Sequence, residues 1–335
     1  MDRLSDYDYS LPEALIAQVP LEDRTASRLL HLQRESGQVQ HRAFTDVVDI
    51  LTPGDLLILN DTRVSALRLE GRKLTGGNVE ALLLSGGPTD YVALLRPGKR
   101  LKPGTRIEFG DLQAEVMADL EDGMKALRFD FVDHLLDRLT AIGHTPLPPY
   151  IHAILKDSER YQTVYGAHPG SAAAPTAGLH FTEEILAALR TKGVNLGYVT
   201  LHVGIDTFRP VQVEDLEQHV MHGETCVVPE ETAKLVSQCT GRIIAVGTTA
   251  VRTLESFAES SRKVRSGEML SRLFIRPGYR FKVVDGMFTN FHLPKTTMMM
   301  MISALAGRDR VLAAYEAAVQ EEYRFLSFGD SMLIL

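Results

Sequence analysis

Apolar and polar positions follow two different patterns along the chain, and they predict two kinds of structure. From Tyr150 onward, amphipathic helices such as Glu183–Thr191 alternate with apolar strands such as Leu196–Val203 and Arg242–Val246. Helices that alternate with strands indicate a sheet covered by helices. An apolar strand also precedes residue 63, at Asp55–Leu59. The pattern therefore predicts an α/β fold for these parts of the chain.

A different pattern runs from Arg63 to about residue 149. Short runs of alternating apolar and polar residues are divided by glycine, proline and aspartate, and Asp122-Gly123 is the strongest hairpin signal. Turns at this spacing predict a small all-β module, either a barrel or a sandwich. The proline-rich stretch Thr145–Pro149 fits a domain boundary after it.

The segment Gly170–Thr182 places small residues, Pro175 and a single histidine, His180, directly before a predicted helix. Glycine and alanine let a ligand or another backbone come close, and Thr182 is suited to cap the helix. Two interpretations fit this segment. It is either a ligand-binding loop or a tight junction in which His180 is hydrogen-bonded in the core.

Polar residues gather in five clusters where predicted strands end or helices begin. Such ends converge in α/β folds, so the clusters predict a common ligand site, although each could also be a strand-end cap or a satisfied buried histidine. The candidates in chain order are Asn60, Asp61, Thr62, Arg63, Thr176, Gly178, His180, His202, Gly247, Thr248, Thr249, Arg252, Asp285, Asn290 and His292, with Glu255 on the same helix as Arg252.

Several common site motifs are absent from the sequence. Gly247 and the two threonines after it could bind an anion at a helix start, but no Gly-Lys-Ser/Thr follows, so this is not a P-loop. The lack of Gly-x-Gly-x-x-Gly disfavours a nicotinamide enzyme or a Rossmann-type methyltransferase, and no Gly-x-Ser-x-Gly supports a serine hydrolase. His219 and His222 have no third ligand at a metal-site spacing, so no metal is expected. The run Met298–Met301 is interpreted as part of a capped, buried helix.

Charge is unevenly distributed. The 335 residues carry a formal net charge of −7, which argues weakly against a nucleic-acid partner, yet nine basic residues lie between Arg63 and Arg106 and seven between Arg262 and Lys282. Aromatic residues are interleaved in the second segment, a mixture that suits phosphates and unstacked bases. Solvated strand faces would give the same counts.

Cysteine content and apolar runs bear on the compartment. Cys226 and Cys239 sit in no metal or redox spacing, so two free thiols in a reducing cytoplasm are expected. The polar, acidic N-terminus predicts no signal peptide, and the longest apolar run, Met298–Ala306, is too short to span a bilayer. We therefore expect a cytoplasmic protein that does not bind a membrane.

Long uncommon strings occur in order over essentially the whole chain, among them Asn60–Val64, Gly170–Thr182, Val251–Ser256 and Gly329–Ile334. In these strings the chain resembles the S-adenosylmethionine:tRNA ribosyltransferase-isomerase family of queuosine biosynthesis. One position departs from the family pattern, which usually has glycine where this chain has Asp206. We interpret Asp206 as tolerated variation, because aspartate is among the better non-glycine residues for such a backbone.

The resemblance implies an α/β domain of residues 1–62 and 150–335, interrupted by an inserted small antiparallel β-barrel of residues 63–149. It also implies that the ribosyl part of S-adenosylmethionine is transferred to 7-aminomethyl-7-deazaguanine at the wobble position of tRNA. The product is epoxyqueuosine-tRNA, and adenine and methionine are released. The implied partners are this tRNA and S-adenosylmethionine as ribosyl donor, and the protein is expected to be a monomer.

The implied chemistry assigns roles to the candidates. A base must remove a proton from the ribose carbon beside the sulfonium, and we predict His180 or His292 for this, oriented by Asp61 or Glu255. Arg252 and the amides of residues 247–249 are predicted to bind the methionine carboxylate or a phosphate. The other candidates are predicted substrate contacts. The residues predicted to bind tRNA are Arg96, Lys99, Arg100, Arg276, Arg280 and Lys282.

The sequence is also compatible with two other functions. An inert RNA-binding protein would bind RNA regardless of S-adenosylmethionine. An S-adenosylmethionine-dependent tRNA methyltransferase would produce S-adenosylhomocysteine, and the missing glycine-rich motif argues against it.

Overall fold

The computed structural model describes residues 3–204 and 211–335. Asp206 lies outside the described residues. The α-helices in these ranges are α1 (Val47–Ile50), α2 (Leu135–Ile142), α3 (Glu183–Lys192), α4 (Glu230–Gln238), α5 (Thr248–Ser256), α6 (Thr297–Ala306) and α7 (Arg308–Gln320). None of the helices in the described ranges is long and apolar enough to cross a membrane.

The strands in the same ranges are numbered in chain order. They are β1 (Arg28–Leu32), β2 (Val39–Ala43), β3 (Leu56–Asn60), β4 (Thr62–Val64), β5 (Leu67–Lys73), β6 (Asn78–Gly86), β7 (Asp90–Arg96), β8 (Arg106–Phe109), β9 (Leu112–Asp119), β10 (Lys125–Phe129), β11 (His168–Ser171), β12 (Asn195–Leu201), β13 (Glu224–Val228), β14 (Ile243–Val246), β15 (Ala258–Ser260), β16 (Lys263–Val264), β17 (Gly267–Ser271), β18 (Gly286–Asn290) and β19 (Ser331–Ile334).

The chain divides into two compact units. The larger unit consists of Met1–Thr62, Pro148–His168 and Ala174–Leu335, and the smaller of Arg63–Leu147 and Pro169–Ala173. The start of the glycine-rich segment that follows His168 thus belongs to the smaller unit, whereas His180 belongs to the larger one.

The smaller unit is a closed six-stranded antiparallel barrel in the order β10-β7-β6-β5-β8-β9. Alternate side chains such as Leu69, Ile107 and Phe129 fill its interior and are fully or almost fully buried. The hairpin predicted at Asp122-Gly123 joins β9 to β10, and both residues adopt a positive φ there. The predicted fold class, an α/β domain with a small antiparallel barrel, is confirmed.

The larger unit is built on a nine-stranded mixed sheet in the order β17-β13-β12-β3-β14-β18-β19-β1-β2. Its centre is parallel, because β12, β3, β14 and β18 run in the same direction. The carboxyl ends of these four strands therefore lie along one edge of the sheet, which we call the carboxyl edge. In parallel sheets ligands bind in crevices outside this edge.

Helices and loops cover both faces of this sheet, and strand alternation decides which side chains each face receives. Leu57, Leu59 and Phe288 pack with Phe181 and with Leu186 of α3, and this side is called the α3 face. The side chains between them point the opposite way. On that side, the α5 face, α4 side chains lie with Ile58 around Gly197, and α5 is bonded to Asn60. Consecutive polar residues at a strand end therefore point alternately to the α3 face and to the α5 face.

Capping residues in the local sequence explain where two helices begin at the carboxyl edge. The Thr182 hydroxyl accepts a hydrogen bond from the amide of Ile185, as predicted, and Thr296 does the same for Met299, so both threonines cap their helices. Gly193 ends α3 with a φ of 92°, a conformation that favours glycine. The interpretation of the methionine run as a capped, largely buried helix is confirmed by α6.

Candidate active site

Asn60 ends β3 and ties the carboxyl edge together on the α5 face. Its amide nitrogen donates to the carbonyl of Leu201 and to the Thr249 hydroxyl, both at 3.1 Å. Its amide oxygen accepts from the backbone of Leu201 and of Thr62 at 3.0 and 3.2 Å. The side chain is fully buried and all of its hydrogen-bonding positions are used. Asn60 therefore fixes the ends of β3, β12 and α5 relative to one another.

A cleft opens on the α5 face beside the first turn of α5. It encloses about 100 Å³. Its lining includes the polar or charged residues Glu224, Thr248, Thr249 and Arg252 with Gly204, and the apolar residues Leu273, Phe274, Ile275, Met298 and Met301. The described lining also includes His219, Met221, His222, Gly223 and Thr297. The lining therefore combines two charged side chains with flat and flexible apolar ones.

Arg252 and Glu224 form a buried ion pair in this cleft. They are 8% and 7% exposed, respectively. Burial lowers the pKa of Arg252 to about 10, so its guanidinium stays charged at neutral pH. The other carboxylate oxygen of Glu224 accepts from the amide of Gly204 at 3.0 Å. Two opposite charges are thus held at the wall of a cleft, an arrangement that is costly unless both are paired.

The N-terminus of α5 reaches the same cleft. Gly247 precedes the helix with a φ of 87°, and its own amide donates to the carbonyl of Phe288 at 2.8 Å. The first amides of a helix have no partner within it, and the helix dipole makes this end positive. Thr248 and Thr249 follow and line the cleft. This end of the cleft is suited to an anionic group.

A chain of hydrogen bonds crosses the α3 face at the end of β18. The Thr176 hydroxyl donates to Asn290 Oδ1 at 2.9 Å, and Asn290 Nδ2 donates to His180 Nε2 at 3.2 Å. His180 Nδ1 then donates to the Ser27 hydroxyl at 2.9 Å, which donates in turn to the carbonyl of Arg24. Because each donor finds an acceptor in this direction, the network fixes one neutral tautomer of His180. Burial lowers the pKa of His180 to about 3.

His292 lies beyond the other side of the same strand end. Its Nε2 lies 2.6 Å from the hydroxyl of Thr289, which neighbours Asn290 on β18 and so points to the opposite face. The backbone of His292 accepts from the Tyr9 hydroxyl, and its amide donates to Tyr315 at 3.0 Å. Burial lowers the pKa of His292 to about 4. The two predicted bases are thus held on opposite sides of β18.

Asp61 and His168 form a third polar group, on the α3 side of the edge. Asp61 Oδ1 accepts from the Thr200 hydroxyl at 2.6 Å, and Oδ2 lies 3.5 Å from His168 Nε2. Burial raises the pKa of Asp61, against the opposing effects of Thr200 and His168. Next to this pair, the ring of His202 lies 2.9 Å from the Thr62 hydroxyl, and burial lowers the pKa of His202. Asp61, Thr62 and His202 are therefore brought together, as predicted for polar strand ends.

The absence of a side chain at Gly178 allows neighbouring protein residues to pack closely against it. A methyl group at this position would lie 2.0 Å from the Tyr165 hydroxyl and 2.9 Å from Thr163. Tyr165 is half-buried and packs against the apolar core of the α3 face. The described contacts of this part of the predicted ligand loop fit the tight-junction interpretation.

Other predicted site residues lie away from the cleft. Glu255, near the end of α5, accepts from the Tyr279 hydroxyl and from the backbone amides of Lys282, Val283 and Val284. Asp285 precedes β18, at the sheet edge opposite the carboxyl edge, and there it pairs with Arg262 at 2.8 Å. Both carboxylates are therefore bonded to nearby residues, and both lie far from the carboxyl edge of the sheet. Arg63 belongs to the smaller unit.

The predicted tRNA-binding residues are mostly exposed. Arg96, Lys99 and Arg100 lie at and after the end of β7 in the barrel, and the Arg96 side chain is 84% exposed. In the larger unit Arg280 and Lys282 are exposed, and Arg276 is half-buried and faces Glu217 at 3.8 Å. These positions are accessible to a large ligand.

Sequence reasoning did not assign several lining or partner residues of this edge to the site. Glu224 pairs with Arg252, Met298 and Met301 line the cleft, and His168 faces Asp61. A weak signal existed for the methionines, because positions 298 and 301 share a helix face. Within residues 3–204 and 211–335 no group of three histidine, cysteine or acidic side chains is placed to hold a metal ion.

Two comparisons relate this geometry to known proteins. A family model described as "Queuosine biosynthesis protein" matches residues 4–334. The chain is also similar to S-adenosylmethionine tRNA ribosyltransferase from Thermotoga maritima, whose crystal structure was determined at 2.00 Å resolution. The two sequences are 37% identical, and the match covers 98% of this chain and 100% of that one with a TM-score of 0.57.

Proposed function

Because this chain belongs to the family of queuosine biosynthesis proteins, we propose that it is an S-adenosylmethionine:tRNA ribosyltransferase-isomerase. It transfers and isomerises the ribosyl part of S-adenosylmethionine onto 7-aminomethyl-7-deazaguanine at the wobble position of tRNA. The products are epoxyqueuosine-tRNA, adenine and methionine. The observation that carries this proposal is the match to the Thermotoga maritima enzyme, at 37% identity over essentially the full length of both chains. It agrees with the resemblance inferred from the sequence strings.

The cleft on the α5 face is proposed to bind S-adenosylmethionine. Its methionyl end carries an ammonium and a carboxylate, and the Arg252–Glu224 pair offers one charge of opposite sign to each. Arg252 would bind the carboxylate through a charge-assisted pair, and Glu224 the ammonium. The amides at the start of α5 would add to the carboxylate site. A zwitterion fits this wall better than an anion alone, because Glu224 would repel a lone anion.

The apolar wall residues of the cleft suit the rest of the donor. Phe274, Met298 and Met301 give a surface for a flat, weakly polar ring such as adenine. Thioethers adapt to irregular shapes and make favourable contacts with aromatic rings. We propose that this wall holds the adenine until it leaves.

His180 and His292 are proposed to shape the site. Each imidazole is held by hydroxyl or amide partners, and pKa values of about 3 and 4 make both weak bases at neutral pH. Asn290, Thr176 and Thr289 hold the two rings against the end of β18. Both histidines therefore position the strand end near the ribose, a role that differs from the one predicted from the sequence alone.

The tRNA is proposed to contact the exposed basic residues of both units. Arg96, Lys99 and Arg100 in the barrel and Arg280 and Lys282 in the larger unit are accessible cations. Contacts from such side chains to phosphates supply affinity without reading the sequence. We further propose that the enzyme acts as a monomer in the cytoplasm.

Release of free adenine tests the function directly. The protein is incubated with S-adenosylmethionine and tRNA that carries the precursor base, and the small products are separated. The proposal predicts adenine and methionine together with a tRNA nucleoside enlarged by the ribosyl group. Formation of S-adenosylhomocysteine would identify a methyltransferase. An inert RNA-binding protein would bind the tRNA and form neither product.

A further inference from the structure

We infer that His168 is the general base that removes the proton from the ribose carbon beside the sulfonium, and that Asp61 is its positioning residue. The inference rests on the proposed ribosyl transfer. It concerns a histidine that no motif singled out, at the point where the chain leaves the larger unit.

Asp61 is placed to serve one imidazole. Its carboxylate is 8% exposed, and Oδ1 is already occupied by the Thr200 hydroxyl at 2.6 Å. The remaining oxygen, Oδ2, faces His168 Nε2 at 3.5 Å, and catalytic contacts of this length commonly tighten to a hydrogen bond when the substrate binds. A buried carboxylate on one ring nitrogen selects the tautomer with its proton there, so that the other nitrogen, Nδ1, carries the lone pair.

Backbone hydrogen bonds also hold Asp61 and His168 close together. The carbonyl of Asp61 accepts from the amides of Ala167 and His168 at 2.8 and 3.1 Å. The two residues are therefore joined by main chain as well as by side chains. Because 61% of the His168 side chain is exposed, its ring reaches the solvent side of the carboxyl edge, where a substrate can approach. Asp61 and His168 both belong to the larger unit, so the pair is complete within it.

The other three histidines near this edge lack one of these features. His180 has both ring nitrogens engaged and is 5% exposed. His292 is held by Thr289, and His202 by Thr62, both through neutral hydroxyls. A carboxylate facing the ring stabilises the imidazolium that forms when a base takes a proton more strongly than a neutral hydroxyl does. Among the described residues at this edge, that combination of carboxylate partner and exposed ring occurs at His168.

The proposed step is a simple proton transfer. The bond between the ribose carbon and its hydrogen breaks, and its electron pair stays on that carbon, where the adjacent positive sulfur stabilises it. The proton moves to Nδ1 of His168, and the charge of the resulting imidazolium is balanced by Asp61. No oxidant, reductant or further reactant is needed.

The test compares His168→Gln with His152→Gln, a matched change at another exposed histidine of the same unit. Adenine release is measured with precursor tRNA, and binding of S-adenosylmethionine is measured separately. We expect His168→Gln to lower kcat by about 10²–10⁴-fold with donor affinity unchanged, and His152→Gln to behave as wild type. Free imidazole should restore part of the rate to His168→Ala, because the position is open to solvent.

Asp61→Asn tests the positioning role. It should lower kcat while the KM for S-adenosylmethionine and the melting temperature stay near the wild-type values. Near-normal kcat in His168→Gln, or a rate in His168→Ala that imidazole does not raise, would overturn the inference. Wild-type protein that releases no adenine would instead overturn the proposed function, so the two failures are distinguishable.

Discussion

The two faces of the sheet bring different polar chemistry to the carboxyl edge. On the α3 face a neutral chain from Thr176 through Asn290 and His180 to Ser27 uses each of its donors within the protein. On the α5 face two full charges, Arg252 and Glu224, lie at the wall of a cleft. Saturated neutral networks hold a shape, whereas paired charges beside an opening can exchange partners with a ligand.

This difference assigns a separate role in the proposed site to each face. In our proposal the α5 face binds the donor, and the α3 face supplies a rigid edge with the exposed imidazole of His168. Asn60 and Asp61 are successive residues, and each serves one of the two faces. A ligand that lies across the strand ends can therefore touch both, as ligands do in other parallel sheets.

Removing the charge of Arg252 should have the largest effect. Arg252→Met leaves Glu224 buried without its cation, which costs about 3–5 kcal/mol of unfolding free energy. Binding of S-adenosylmethionine should fall as well, and calorimetric titration measures it. The double variant Arg252→Met/Glu224→Gln should recover most of the stability in urea unfolding but not the donor affinity. Recovery of both would mean that the pair is structural only.

Gly178→Ala should destabilise the α3 face by about 1–3 kcal/mol, because the added methyl group meets the Tyr165 hydroxyl. Urea unfolding measures the loss. Adding Tyr165→Phe removes the colliding oxygen and should return part of the stability. If Gly178→Ala leaves stability unchanged but weakens donor binding, the glycine faces a ligand rather than Tyr165, and the comparison between the faces fails.

The neutral state of His180 predicts a pH dependence of stability. The pKa of His180 is about 3 in the folded protein and about 6.5 in the unfolded chain. Below pH 6.5 the unfolded chain therefore binds more protons than the folded protein does. His180 therefore lowers the free energy of unfolding by about 1.4 kcal/mol for each pH unit as the pH falls toward 5. Urea unfolding at several pH values should show a flatter slope for His180→Asn. An unchanged slope would show that this ring is not held neutral.

The smallest effect is expected in the barrel. Lys99→Ser removes one exposed cation and should reduce the salt dependence of tRNA binding by about one unit of slope, with kcat unchanged at saturating tRNA. Lys234→Ser, an exposed lysine on α4 that faces Glu230, is the matched control. Equal slopes for the two variants would place the tRNA elsewhere on the protein.

Local patterns predicted most of the fold. Turn residues such as Asp122 and Gly123, the cap at Thr182 and the glycine after α3 act within a few residues, so their signals are readable in the sequence. The spacing of such turns predicted a small all-β module, and the family resemblance implied that this module is a barrel. Strand order could not be derived in this way, since β1 pairs with β19 across most of the chain.

The site was only partly predictable for the same reason. Polar strand ends such as Asn60 and Thr62 were found, because strand ends converge in parallel sheets. Their partners were not, since Glu224 meets Arg252 and His168 meets Asp61 only after the sheet is assembled. Asp285 was grouped with Asn290 by sequence proximity, yet β18 separates them to opposite edges. Resemblance to a family predicts the reaction, whereas the roles of individual residues depend on which face receives each side chain.

The division of work between the faces is tested most directly by one assay on two variants. Steady-state adenine release is measured for Glu224→Gln and His168→Gln at saturating precursor tRNA and varied S-adenosylmethionine. We predict that Glu224→Gln raises the KM for S-adenosylmethionine and largely keeps kcat, whereas His168→Gln lowers kcat and keeps KM. If both variants change the same constant, binding and proton removal are not divided between the two faces.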